Sequence, residues 1–440
     1  MKKIILIPTI IILACAVFAY CLASKPQEKK SLKEQAQEAF RNEHYDEAIA
    51  LLYKAVKETP NDPEIWYYLG WFYHYRAYDS RPLKGYDFSY QQKIFDYLSK
   101  AISLSPTYYG DAIYFYTAEC CSAALNAKQD GDDVEKLKYF YKKAYDKGGF
   151  PAWSIEFGKN FMNTCEENAI LFVGGDFDFN ICTYLQLHEN YRTDLTIIPI
   201  TFVERPWYVK FLRDGLEGGV RKVNINLTDR QIMDFHPYKW MSTPIYIPVS
   251  QAMKTELRLN KNFQFKWIVE PDLVEPDRID SKRMTGEDFA ARTYMSPRRA
   301  MLLQIVEDNF SERPIHFSNF VHSAGLAGLS PYLENRGLTS RLLPIETANT
   351  KHANVFSMYE KFLTPENLKD FKTLKTLDQP RISGVVVSGY YRASVQLARH
   401  YKQTNQTKKL ENLIDTFKTY LAIGIDKEYE NDVLRVLQSR

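Results

Sequence analysis

Small residues recur where two antiparallel helices must cross closely, and this pattern constrains the first third of the chain more than any other feature. In SLKEQAQEAFRNEHYDEAIALLYKAVKETP (31–60), Ala36, Ala48 and Ala55 fall at the expected crossing and Pro60 stops the second helix. A second unit opens with Trp66, Leu69, Gly70 and Tyr73, and its second helix, QQKIFDYLSKAISLSP, closes with Ala101 and Pro106. The loop between them, RAYDSRPLKGYDFSY, is about a dozen residues longer than such a hairpin needs. A third unit begins near Asp111 and ends in LKYFYKKAYDKGG after an insertion around QDGDD, with Gly148 and Gly149 as the stop. Stacked hairpins bury one continuous apolar face, and 31 Tyr and 26 Phe suit the filling of grooves between them.

The spacing of Trp66, Leu69, Gly70 and Tyr73 resembles the tetratricopeptide repeat in both interval and identity. That resemblance implies helical hairpins over 31–158 and a concave surface for a protein or peptide partner. With few units, the repeats serve equally well to brace a neighbouring domain.

Ahead of them, Lys2 and Lys3 precede an apolar run from Ile4 to Ala23, and SKPQEKK follows. A basic head and an apolar body form an export signal, and the run is long enough to span a bilayer. Three fates fit residues 1–23: an uncleaved anchor, lipoprotein processing at Cys15, or cleavage after Ala23. All three put the body of the protein in the cell envelope, outside the cytoplasm, with the membrane as a partner. Of the six Cys, Cys15 and Cys21 lie in this run; the spacing of Cys120, Cys121, Cys165 and Cys182 is not that of a zinc site. A net charge of +3 is too small to argue for nucleic acid, no basic stripe with interleaved aromatics stands out, and no nucleic-acid partner is expected.

After Asn168 the pattern changes. AILFVGG is a short buried strand, DFDFNICTYLQLHENY has helical spacing, and DLTIIPITFV is a second strand. Strand, helix, strand predicts a parallel sheet and a Rossmann-like α/β three-layer domain over 160–350, without a GxGxxG fingerprint. PWYVKFLRDG and SPRRAMLLQIVEDNF read as helices, the latter amphipathic; TPIYIPVS, FKWIVE and RPIHFSNF read as further strands. From Gly389 a helical hairpin and a closing helix, EYENDVLRVLQ, complete a helical region over 351–440.

Ligands of such sheets favour the crevice beyond the carboxyl ends of the strands, where Asp176 and Asp178 follow the first strand. Two acids flanking one residue can share a divalent ion or meet sugar hydroxyls; alternatively Asp176 caps the helix and Asp178 sits in its first turn. Asn180, Arg205, Trp207 and Tyr208 are candidate neighbours at strand ends, and Arg313 is a candidate cation before the last strand, with His316 and His322 nearby. No Ser/His/Asp set, Cys/His pair, HExxH or phosphate loop appears, so no catalytic set, metal or cofactor is assigned.

The segment ILFVGGDFDFNICTYLQLHENYRTDLTIIPITFVERPWYVKFLRDG resembles the soluble C-terminal part of protein O-mannosyltransferase-like membrane proteins. The counterparts of that family's pattern are Gly175, Asp176, Asp178, Tyr191, Arg192, Asp194, Trp207 and Tyr208, then Arg313, Pro314 and Phe317 in VEDNFSERPIHF, then YLENRGLTSRLLPI. Family members carry many membrane spans, whereas this chain has at most one apolar run. The resemblance therefore implies an accessory module without the transferase. The sequence expectation is an envelope-anchored, non-catalytic binding or scaffold protein, accessory to envelope protein glycosylation or assembly, with a glycan as a further candidate ligand. The alternative is a glycan-acting enzyme using Asp176 and Asp178.

Overall fold

The computed structural model describes residues 30–79, 86–105, 109–129, 131, 134–217, 219–236, 238–240, 243–260, 262, 264–269, 294–349, 355–376 and 383–439. The expected export segment, 1–23, lies outside the described residues, as do 80–85 of the first insertion and Asp130, Asp132 and Asp133 of the second. The chain divides into two compact units at Leu104 and Ser105, so the third expected hairpin belongs with the second unit.

The first unit is two helical hairpins: α1 (Leu32–Arg41) with α2 (Tyr45–Glu58), and α3 (Pro63–Asp79) with α4 (Gln91–Leu104). A capping box starts α1: the Ser31 hydroxyl accepts from the Glu34 amide and the Glu34 carboxylate accepts from the Ser31 amide. Ala36, Ala48, Ala55 and Ala101 are all buried at the crossings. Gly70 is required because a Cβ there would stand 2.6 Å from the Leu98 side chain of α4. Trp66 is half-buried with its indole N–H donated to the Pro60 carbonyl at 2.8 Å, and Tyr73 is buried.

The second unit opens with a long hairpin, α5 (Tyr109–Gln129) and α6 (Val134–Asp146), then α7 (Ala152–Met162). The unit β1 (Ile170–Val173), α8 (Asp176–Glu189), β2 (Thr196–Pro199) follows as expected, with β1 and β2 parallel. After α9 (Pro206–Asp214) and α10 (Asp229–Met233) come β3 (Tyr238–Lys239), β4 (Thr243–Ile247), α11 (Gln251–Glu256), β5 (Phe265–Val269) and β6 (Tyr294–Met295). Next are α12 (Pro297–Asn309), β7 (Ile315–Ser318), β8 (Leu333–Asn335) and β9 (Thr339–Leu342). The chain closes with α13 (Val355–Phe362), α14 (Pro365–Leu368), α15 (Ser383–Gln403), α16 (Thr407–Thr416) and α17 (Lys427–Gln438), the last being the expected closing helix.

The main sheet is mixed rather than parallel. Its order is β2-β1-β7-β9-β8, with the first three strands parallel and the last two added antiparallel by a local hairpin. Gly337, at φ +109, makes that tight return. TPIYIPVS and FKWIVE do not join this sheet; β4 and β5 pair with each other. The burial pattern gives the reason. FKWIV alternates buried and exposed, which suits a ladder covered on one face, whereas β1, β2 and β7 are buried throughout. Likewise α12 is buried around most of its circumference, Arg299 and Asn309 included, rather than along one stripe.

Because side chains alternate across a strand, the sheet has two unlike faces. Ile170, Phe172, Ile315, Phe317 and Leu342 pack into an apolar core with Tyr208, Leu212, Trp267, Met301 and Ile305. The other face carries a buried polar row: His316 pairs in register with Arg341, and Arg341 with Glu334.

Candidate functional site

A crevice of about 250 Å³ lies at the carboxyl end of β1, lined by Gly174, Asp176, Asp178, Tyr114, Phe320 and Val386 among others. Gly174 lets it form, since a Cβ there would meet the Phe320 carbonyl oxygen at 2.7 Å. Gly175 takes the N-cap position of α8, so both acids sit in its first turn, and Asp178 rather than Asp176 does the capping. Its two oxygens accept from the Gly174 and Gly175 amides, each at 3.0 Å, and the Ser318 hydroxyl also donates to it. Burial pushes the Asp178 carboxyl up against the pull of these donors. Asp178 thus holds the turn, and exposed Asp176 is the carboxylate at the crevice mouth.

The floor is aromatic. Phe177 stacks on Trp153 (5.7 Å) and on Phe157 (5.5 Å), and Phe157 in turn packs on Phe320 (5.8 Å). A small crevice with such walls and one carboxylate suits an apolar group carrying a hydroxyl or a cation more than a multiply charged ligand.

Asn180, Arg205, Trp207, Tyr208 and Arg313 do not line this crevice. Asn180 is buried and accepts from the Tyr141 hydroxyl at 3.2 Å. Arg205 is at the N-cap position of α9 with its guanidinium 5.0 Å from the Phe202 ring centre. Trp207 meets Tyr208 edge to face at 5.5 Å, and both pack with the apolar core. Arg313 lies before β7, at the opposite, amino edge of the parallel strands. There it donates to the carbonyls of Asn168 (2.8 Å), Ala169 and Lys222 (3.2 Å each) and to Thr196 Oγ1 (2.8 Å). Burial, with Arg221 beside it, lowers the Arg313 guanidinium to about 10. It ties strand starts together.

Two constellations went unread as chemistry in the sequence. Arg192 and Asp194 form a bidentate pair that also gathers the carbonyls of Met162, Cys165 and Glu166 and the amide of Asn168. The Tyr191-Arg192-x-Asp194 pattern was visible as a motif, but its role is architectural. The second is an ionic cluster on the polar row. Glu166 bonds His316 Nε2 and lies 3.2 Å from Arg341, which also pairs with Glu256 at 2.9 Å. His316 Nδ1 lies 3.0 Å from Thr339 Oγ1. Burial opposes charge on both partners. Even so, the cations of His316, Arg341 and Arg336 hold Glu166 at about 2, while Cys165 and Glu166 raise His316 to about 9. Lone acids such as Glu166 and Glu256 carry no local signal from which this cluster could be read.

Among the described residues, no group of three or more His, Cys, Asp or Glu is placed to hold a metal ion, and no helix is long and apolar enough to cross a membrane. Cys120, Cys121, Cys165 and Cys182 are buried free thiols.

The fold therefore combines N-terminal helical repeats with an α/β unit built on a mixed five-stranded sheet. A tetratricopeptide-repeat family model matches residues 30–72, and a model described as TMEM260-associated domain 2 matches residues 154–262 and 274–359. No curated protein and no solved structure matches the chain. Tetratricopeptide repeats generally mediate contacts between proteins.

Proposed function

We propose that this protein is a non-catalytic scaffold of the cell envelope. Its repeats hold a protein or peptide partner, and its α/β unit serves as an accessory module in envelope protein glycosylation or assembly. The observation that carries the reading is the aromatic face of the first unit. Phe40, Tyr45, Tyr68, Trp71 and Tyr75 lie together on α1, α2 and α3, half-buried or exposed, with Tyr75 41% exposed. Large rings that keep an open side are the usual anchors of protein interfaces. The match to the TMEM260-associated domain and the resemblance to the soluble part of O-mannosyltransferase-like proteins support the glycosylation context. The parallel β2-β1-β7 core with its α8 crossover supports a Rossmann-like reading of the α/β unit. The apolar run Ile4–Ala23 supports membrane tethering.

Site-specific photocrosslinking tests this. A crosslinker at Tyr75 in the full chain is expected to trap a partner in intact envelopes, while one at exposed Lys54 on α2 traps none. Equal trapping at both positions, or none at Tyr75, counts against the repeats as the docking face. The crevice beside Asp176 favours a second reading, a glycan ligand of the α/β unit. With Asp178 committed to the turn, that reading is one of binding rather than paired-carboxylate catalysis.

A further inference from the structure

A second surface, wholly within the 105–440 unit, carries a chemistry the repeats do not. Along α6 and against α8 runs a groove of about 750 Å³, lined by Tyr116, Lys138, Tyr139, Lys142, Lys143 and Lys147. The same lining holds the carboxylates of Glu135 and Asp146 and the imidazole of His188. Four ammoniums thus face two carboxylates. Glu135 pairs with Lys138 at 2.8 Å and Asp146 with Lys142 at 2.7 Å. The other two ammoniums, of Lys143 and Lys147, converge on one ring, 5.8 and 5.6 Å from the centre of Tyr116. The lining thus carries two more ammoniums than carboxylates. Burial pushes the His188 imidazole toward the neutral form against the hydrogen bond its Nε2 donates to the Lys138 carbonyl at 3.0 Å; Lys138 and Lys142 add to the push and Asp146 opposes it.

We propose that this groove docks an acidic, extended peptide segment of a protein partner. Charge sets the sign of the ligand, and shape and the two carboxylates set its class. From Glu135 to Asp146 the helix rises about 16 Å, the reach of about five extended residues. Concavity suits a single chain rather than a flat bilayer. Glu135 and Asp146 lie near the two ends of α6, where a continuous polyanion such as nucleic acid would set phosphates against them. A peptide can place neutral or basic residues there and its acids between. Tyr139, 60% exposed, adds an apolar contact beside the lysines.

The test uses the full chain and a fluorescein-labelled nonapeptide of alternating Glu and Leu, read by anisotropy. Saturable binding that weakens as salt rises is expected. Lys143→Gln with Lys147→Gln should weaken it about tenfold, as expected for the loss of two partly exposed charge contacts. Lys136→Gln, on α6 but outside the groove, should leave it unchanged, as should Tyr75→Ala in the repeats. Chemical-shift changes at His188 on adding peptide would place the ligand in the groove. Unsaturable binding or an unaffected double variant would overturn the proposal. So would tighter binding of an oligothymidylate or of phosphatidylglycerol vesicles than of the peptide. Loss on Tyr75→Ala alone would also overturn it, by moving the site to the repeats. The groove and the aromatic face therefore fail separately.

Discussion

Arg192 grips Asp194 through two parallel hydrogen bonds of 2.9 Å, and in doing so clips the end of α7, the entry to β1 and the entry to β2 to one another. Arg192 sits at φ +46, a left-handed conformation that costs a residue with a side chain on the order of 1 kcal/mol. The guanidinium's bonds offset that cost. Arg192→Ala and Asp194→Ala are each expected to lower stability by about 2–3 kcal/mol. In a double-mutant cycle the two should couple by more than about 1 kcal/mol. Urea unfolding of the four species measures this, and additive effects would contradict the clip.

The two acids after β1 should separate cleanly. Asp178→Ala removes the buried acceptor of two partly buried amides and is expected to cost about 2 kcal/mol. Asp176→Ala, at an exposed position, should change stability by no more than about 0.5 kcal/mol. Thermal melts of both variants decide the matter; comparable losses would reverse the division of labour.

Glu166 and His316 predict a stability optimum in mildly acidic solution. The Glu166 carboxyl falls from 4.5 to about 2 on folding, so its contribution is present above pH 4.5 and lost as pH falls toward 2. The His316 imidazole rises from 6.5 to about 9, so its contribution is complete below pH 6.5 and lost as pH climbs to 9. Together the pair favours the native state most between pH 4.5 and 6.5. Glu166→Gln should remove the acid-side slope, shrink the alkaline-side slope that Cys165 also supports, and cost about 3 kcal/mol at pH 6, because His316 and Arg341 are left facing a neutral amide. An unchanged pH profile of the unfolding midpoint would refute the assignment.

Glu156 predicts the opposite trend for a carboxylate. It accepts the Asp370 amide at 2.9 Å, joining α7 to the short turn at Phe371–Thr376, and burial raises its carboxyl from 4.5 to about 7. The folded state keeps a proton there that the unfolded chain has released. Stability from this site is therefore complete below pH 4.5 and declines as pH rises to 7. Glu156→Gln should be at least as stable as the wild type at pH 8 and lose the decline, as melts across that range would show.

The helical hairpins were legible because their signal is local. A glycine that must admit Leu98 and alanines that must admit a helix leave a fixed spacing in the sequence. The β1–α8–β2 unit was legible for the same reason. The antiparallel addition of β8 and β9 was not, because the pairing of Phe317 with Ser340 depends on a return at Gly337 rather than on composition. FKWIVE reads as one more sheet strand because so short a run cannot announce which partner covers it. At the site, Asp176 and Asp178 line the crevice beyond β1, but the engagement of Asp178 by Gly174 and Gly175 is a matter of side-chain direction. Arg313 was expected among the ligand candidates and lies at the other end of the strands. The lysines of α6 are not legible as a patch, because the whole chain balances to +3 and only the helix brings them to one side.

The row of His316, Arg341 and Glu334 across three strands also bears on how the sheet is assembled. A slip of β9 by one residue would turn Arg341 into the apolar layer beside Phe317 and present Leu342 to Glu166. Misaligned hairpins are thus penalised twice, by a stranded guanidinium and by an orphaned carboxylate. The charges act as a proofreader of strand alignment, discarding near-miss pairings while the chain is still sampling them.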